Sequence, residues 1–286
     1  YQSACVDPPA DPPVDPPVDP PVDPPADSCE GYCGGQTPSG CWCDAACADF
    51  GNCCGDYDAL CSDPGDPGDD PWSDLSDGAL KSALHNETES KHSTFLGYTT
   101  ARNHMYGIGQ PGIDIHNGVI ECIYTNVTAV PDGTRYPGGL INTEHSWPQS
   151  DGASGSPQKG DLHHLFPSYD VANSRRSNHN FGETVCTGSS CTWNLDGAEL
   201  GSNSSGSTVF QAPDSTKGDL ARAHLYFSVR YNRTIPNSEE SVLKAWNAQD
   251  PPSQREIDRN NAIEAIQGNR NPFVDYPNMA DRISDF

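Results

Sequence analysis

Eight of the twelve cysteines in this 286-residue chain fall between positions 29 and 61, and that density dictates how the segment can fold. They are Cys29, Cys33, Cys41, Cys43, Cys47, Cys53, Cys54 and Cys61. A stretch so short buries too little apolar surface to hold itself together, so covalent cross-links must supply the constraint. Eight cysteines allow 105 pairings, and spacing alone does not choose among them. A zinc cluster is the competing use of dense cysteines, but the segment contains no histidine. Cysteine usage on this scale points to an oxidising compartment and hence to a secreted chain. No apolar run approaches the roughly 20 residues of a membrane-spanning helix. No signal-peptide pattern is visible, so Tyr1 reads as a mature start.

The cysteine-rich segment stands between two extended ones. Residues 7 to 27 repeat Asp-Pro-Pro-Val/Ala with a period of four. Prolines so spaced favour polyproline II, in which twenty residues reach roughly 60 Å. One reading is a stiff solvated spacer; the other lays the rod against a neighbouring subunit. Residues 62 to 72 (SDPGDPGDDPW) form a second linker. The chain therefore divides into an arm (1–28), a disulfide domain (29–61), a linker (62–72) and a globular domain (73–286). In that domain Asp74 to His85, Asp219 to Tyr231 and Arg255 to Gln267 have helical periodicity, with Gly268 as a stop. Leu220, Ala223, Phe227 and Tyr231 form one apolar side of the second helix. Gly118 to Tyr124 has strand character, and Asp161 to Arg176 reads as a loop running past Pro167 into a helix. Helices dominate with a few short strands, an α+β pattern.

Charge weighs against a polyanionic partner. The net charge is -24, and residues 1 to 71 hold 15 acids without a single Lys or Arg. The 25 remaining acids face all 16 basic residues, so the rest of the chain still carries -9. Such a protein repels nucleic acid at long range unless basic side chains gather locally. Lys159, Arg175, Arg176, Lys217, Arg222 and Arg230 are the candidates for that gathering. A small basic complement predicts a weak, salt-tolerant grip on phosphates, without sequence preference.

Four cysteines lie outside the dense segment. Cys186 and Cys191 enclose only TGSS and are expected to staple a local loop. Cys5 and Cys122 are then partners by elimination, within one chain or between two; lipidation of Cys5 is a third option.

Two sets of motifs resemble known families. CWCDAACADFGNCCGDYDALC, with adjacent Cys53 and Cys54 followed by Asp56 and Tyr57, resembles the somatomedin B domain. That implies a compact disulfide knot that binds protein or matrix. Asn142-Thr143-Glu144-His145-Ser146-Trp147-Pro148 precedes Gly160-Asp161-Leu162-His163-His164-Leu165-Phe166-Pro167 and Asn173-Ser174-Arg175-Arg176-Ser177-Asn178. With Lys217 to Arg222, Arg230-Tyr231 and Gln267 to Phe273, these resemble the bacterial endonuclease I family over residues 75 to 286. The resemblance implies a ββα-metal site acting on DNA or RNA, with His145 as base and Glu144 and Asn173 as metal ligands. It departs from the family at His164, where Asn is usual.

The chemistry is coherent with that assignment. Phosphodiester hydrolysis needs a base for water, and a neutral imidazole suits that task near pH 7. A carboxylate and an amide oxygen suit Mg²⁺, with Ca²⁺ or Mn²⁺ also compatible. Adjacent strand residues point to opposite faces, so Glu144 and His145 require a bulge or a strand end to converge. Arg176, three residues after Asn173 on one helical face, either approaches the scissile phosphate or forms a structural ion pair. His163 and His164 read as structural, and zinc on His145, His163 and His164 has poor spacing. The alternative to an enzyme is an extracellular structural or adhesive protein. In that reading the nuclease fold is a building block, assembling head to tail through the arm, with Cys5 locked to Cys122 of the next chain.

Overall fold

The computed structural model describes residues 28–29, 36–43, 47, 51–55 and 70–286. The arm with Cys5, the cysteines Cys33 and Cys61, and most of the linker lie outside the described residues. The chain separates into two compact units, Tyr1–Ser62 and Asp63–Phe286.

In the first unit sulfur takes the place of an apolar core. Disulfides join Cys29 to Cys43, Cys41 to Cys54 and Cys47 to Cys53, and Cys29, Cys43, Cys47 and Cys54 are buried against one another. The backbone of Trp42 bridges the cross-links. Its N–H donates to the Asn52 carbonyl at 2.9 Å, and its carbonyl accepts from the Cys54 N–H at 3.0 Å.

The second unit is α+β. Its helices are α1 (Asp77–Lys91), α2 (Tyr98–Tyr106), α3 (Asp170–Arg176), α4 (Lys217–Tyr231), α5 (Asn237–Gln249), α6 (Gln254–Gln267) and α7 (Pro272–Asp275). Three small antiparallel sheets accompany them: β1 (Ile115–His116), β2 (Val119–Glu121) and β3 (Thr128–Ala129); β4 (Ile141–His145) and β5 (Leu165–Tyr169); β6 (Trp193–Leu195), β7 (Ala198–Ser202) and β8 (Thr208–Gln211).

Helix α4 organises the core. The sequence gives it one apolar face, yet 13 of its 15 residues are buried, because α1, α5 and α7 close around it. Helices buried all round must find a partner for each polar side chain. Arg222 is bound by the Glu256 carboxylate and the Asp250 carbonyl, and Arg230 reaches Glu89 at 3.6 Å. Gly218 is fixed by contact: a Cβ there would come within 1.9 Å of the Asp250 carbonyl oxygen. Helix α6 begins with Ser253 accepting the Glu256 N–H and ends at Gly268, whose φ of +95° suits glycine.

Two sequence expectations need correction. The stretch read as a loop at 161–169 contains strand β5, which runs through Pro167. That proline sits opposite Thr143, and its carbonyl accepts the Ile123 N–H at 2.9 Å. The six basic candidates do not all gather: Lys217 and Arg222 are buried in ion pairs with Glu183, Asp214, Asp219 and Glu256. Cys122 is a buried thiol without a disulfide partner among the described residues, and its expected partner Cys5 lies outside them. The Cys122 sulfur accepts the backbone N–H groups of Tyr169 at 2.9 Å and Tyr124 at 3.3 Å, which hold it between β2 and β5. Cys186 and Cys191 are joined around a short turn at Gly188–Ser190.

Candidate active site

Strand β4 delivers Glu144 and His145 together. The β4–β5 ladder keeps its register from Ile141–Tyr169 to His145–Leu165 without a bulge. The expected convergence of the two side chains is not seen: both residues stay paired in the ladder to the end of β4 and keep the alternation of a regular strand. The connection from 146 to 164 loops out and returns as β5, and α3 then folds back on β4. A ββα unit results. Asn142 and Glu144 point toward α3, whereas His145 faces Tyr98 and His164, whose rings lie 5.2 and 5.4 Å away.

Glu144 is 2% exposed. Its Oε1 accepts the Tyr124 hydroxyl at 2.9 Å and meets Arg176 Nη1 at 3.2 Å. Burial pushes its carboxyl up to about 7, against the pull of Arg176 and Tyr124. No hydrogen bond reaches its Oε2 among the described residues.

Asn173 donates through Nδ2 to Asn142 Oδ1 at 2.6 Å and to the Thr143 carbonyl at 3.3 Å. Asn142 is itself anchored to Asp170 at 2.7 Å. With both amide hydrogens directed at oxygen, the Asn173 Oδ1 accepts no hydrogen bond among the described residues.

His145 is buried, and burial together with the nearby His164 pushes its imidazole down to about 3. The ring is therefore neutral at physiological pH. Its Nε2 lies 3.2 Å from the Lys159 carbonyl. A carbonyl only accepts, so Nε2 carries the proton and Nδ1 carries the lone pair. Among the described residues only the Gln149 amide approaches Nδ1, at 3.4 Å, a long contact that water can replace.

Arg176 is 1% exposed. Besides Glu144 it donates to the carbonyls of His145 at 3.3 Å and Ser146 at 2.5 Å, and it stacks on Phe181. This is the ion-pair alternative, inside the fold rather than at a phosphate-facing surface. His163 and His164 are buried and donate to the carbonyls of Asn269 and Gln158. Their nitrogens and those of His145 do not converge on a metal position. The described cysteine groups close enough for one are disulfide-bonded.

Three contributors went unread in the sequence: Tyr124, the Lys159 main-chain carbonyl and Asp161. Asp161 accepts from the Tyr226 and Tyr231 hydroxyls at 2.8 and 2.7 Å, from Gln267 at 2.8 Å and from the His163 N–H at 3.1 Å. It joins the turn before β5 to α4 and α6.

Residues 77–278 match the Endonuclease I family over 71% of the chain (202 of 286 residues). The chain belongs to the Endonuclease I family. Residues 27–64 match the somatomedin B domain. An extracellular ribonuclease of Bacillus subtilis is 33% identical over 226 residues, covering 72% of this chain and 74% of the relative. A periplasmic deoxyribonuclease of Aeromonas hydrophila is 29% identical over 122 residues, 41% of this chain and 48% of the relative. Endonuclease-1 of Buchnera aphidicola is 27% identical over 119 residues, 41% of this chain and 44% of the relative. In this Endonuclease I chain, no helix among the described residues is long and apolar enough to cross a membrane.

Proposed function

We propose that the protein is a secreted, metal-dependent endonuclease that hydrolyses phosphodiester bonds of RNA or DNA without strong sequence preference. The observation that carries this reading is the fixed tautomer of His145. A neutral imidazole with its Nε2 proton tied to the Lys159 carbonyl leaves Nδ1 as a base. In the reaction Nδ1 takes the proton of the attacking water as its oxygen bonds to phosphorus. The bond to the leaving sugar oxygen breaks, and that oxygen collects a proton from solvent.

Glu144 Oε2 and Asn173 Oδ1 fit a hard cation. Both are oxygens without hydrogen-bond donors, and Asn142 orients the amide of Asn173. The buried Glu144 carboxylate is under-compensated and gains from a neighbouring positive charge. A bound Mg²⁺, or Ca²⁺ or Mn²⁺ on the same donors, supplies positive charge beside the reacting phosphate. Arg176 acts as a positioning residue that holds Glu144 and the main chain of 145–146.

The working domain map keeps the arm, the 29–61 disulfide domain, the linker and the 73–286 nuclease domain. In it the somatomedin B-like domain binds a protein or matrix partner. Self-assembly through the arm rests on residues outside the described ones, and the buried Cys122 thiol gives it no support. Digestion of plasmid and of RNA, with and without EDTA, tests the proposal in wild type and His145→Ala. EDTA abolishes cleavage, and the variant loses about 10²- to 10⁴-fold in rate, the contribution of a positioned base. Undiminished cleavage by His145→Ala refutes the assigned base.

A further inference from the structure

All 16 basic residues lie at or after Lys81 and are therefore described. Ten of them form ion pairs with carboxylates among the described residues: Arg135, Arg176, Lys217, Arg222, Arg230, Lys244, Arg255, Arg259, Arg270 and Arg282. The six without such a pair are Lys81, Lys91, Arg102, Lys159, Arg175 and Arg233. Their placement is uneven. Lys81 and Lys91 belong to α1, whereas the other four border the candidate active site. Arg175 lies next to Arg176 on the helix of Asn173, and Arg233 lines the same cavity as Arg176.

Arg102 and Lys159 share an aromatic support beside His145. Both cations lie over the Tyr98 ring, at 5.5 and 5.3 Å, and that ring lies 5.2 Å from the His145 ring. The Arg102 guanidinium also sits 3.7 Å from the centre of the Tyr136 ring, and its Nε–H has no hydrogen-bond partner. Three residues before Tyr98, Phe95 is 59% exposed, with its ring edge-on to His92 at 4.8 Å. The loop carrying Phe95 is locked to the turn that holds His145. A Cβ on Gly160 would come within 2.0 Å of the Leu96 carbonyl oxygen, so only glycine permits this approach.

An exposed ring on a loop locked beside Lys159, with Arg102 and Lys159 unclaimed by any carboxylate, is the arrangement that grips unstacked bases and their phosphates. We infer that Phe95, Tyr98, Arg102 and Lys159 form a track for single-stranded nucleic acid leading to His145. In this track Phe95 stacks a base, and Arg102 and Lys159 take the adjoining phosphates. A duplex keeps its bases stacked inside and cannot use Phe95, so the track favours single strands. The inference rests on the nuclease reading above and adds the form of the substrate.

The test measures fluorescence anisotropy of the full chain with a fluorescein-labelled twelve-residue thymidylate strand and with its dA·dT duplex. EDTA is present so that neither is hydrolysed. Wild type binds the single strand about fivefold or more tighter than the duplex. Phe95→Ala raises the single-strand Kd about tenfold, as loss of one stacked base does, and leaves the duplex Kd unchanged. Arg102→Gln lowers the slope of log Kd against log salt by about 0.7, one phosphate contact fewer. Lys81→Gln, a cation on α1, leaves Kd within about twofold and corrects for net charge alone. Circular dichroism verifies that each variant is folded. Equal affinity for the two forms, or unchanged Kd in both Phe95→Ala and Arg102→Gln, overturns the track while leaving hydrolysis intact. A wild type that neither binds nor, with metal restored, cleaves either form overturns the nuclease reading as well.

Discussion

Replacing Arg176 by Met separates two roles that lead to opposite outcomes. The guanidinium and its partner carboxylate are 1% and 3% exposed, so solvent screens their interaction very little. Met keeps most of the apolar stem against Phe181 but removes the charge opposite Glu144 and the donors to the His145 and Ser146 carbonyls. Breaking one side of a buried pair costs about 3–5 kcal/mol, because the partner charge stays buried. Glu144 limits the loss by taking up a proton. Its carboxyl already stands at about 7 with Arg176 present and rises further without it. The cost therefore grows as pH rises through 7 toward the variant's higher pKa, and shrinks as pH falls toward 6. For a domain of this size each kcal/mol moves Tm by about 2–4 °C, so the variant should melt about 12 °C lower at pH 8 and distinctly less at pH 6. Thermal unfolding followed by circular dichroism in EDTA measures both values. Adding Glu144→Gln to Arg176→Met should restore most of the loss, since the two charges are coupled. A Tm within about 2 °C of wild type, accompanied by a tenfold rise in KM, would refute this reasoning and make Arg176 a phosphate contact.

Two further predictions concern pH. Because burial holds the His145 imidazole down to about 3, its base form persists well below an ordinary histidine's 6.5. At pH 5 roughly 99% of it is neutral, against about 3% of an unperturbed imidazole. With metal saturating, kcat should change less than about twofold between pH 7 and pH 5; an acid limb centred near 6.5 would contradict the assignment. Glu239 is buried and its carboxyl is pushed up to about 7 from an ordinary 4.5, chiefly by burial. A raised folded pKa means that the native state holds the proton more tightly, so this group's stabilisation is complete below 4.5 and lost as pH rises through 7. Glu239→Gln retains an acceptor for the Phe181 N–H and should stabilise the protein by about 2–3 kcal/mol at pH 8.5 and by nothing at pH 4. Equal Tm values for variant and wild type at pH 8.5 would show that the carboxylate is already compensated.

The sequence made some of this architecture legible and hid the rest for physical reasons. Helices α4 and α6 repeat their apolar residues at helical spacing, and α6 also carries Ser253 and Gly268 as end signals. Strand β5 was hidden because Phe166-Pro167 reads as a break. A proline is tolerated there since the ladder asks for no N–H at that position. Strands β6 to β8 are three to five residues each, too short for alternation to stand out. At the site, Glu144, His145 and Asn173 came through their motif. Arg176 was ambiguous because its partner is 32 positions away, and no local pattern says whether a helical arginine faces inward. The clustering of Lys217, Arg222 and Arg230 failed for the same reason: each met a carboxylate brought near only by folding.

The turn at Gln158–Gly160 supplies two consecutive carbonyls, one to the Nε2 of His164 and the next to the Nε2 of His145. Which nitrogen of the proposed base carries the lone pair is thus written in the main chain and not in any side chain. Residues 158 and 159 can drift to almost any identity without altering it. Loss or gain of a single residue between them and Asp161 would offset both carbonyls at once. Length in this turn is therefore the quantity that selection must guard, and a comparison of side chains alone would overlook it.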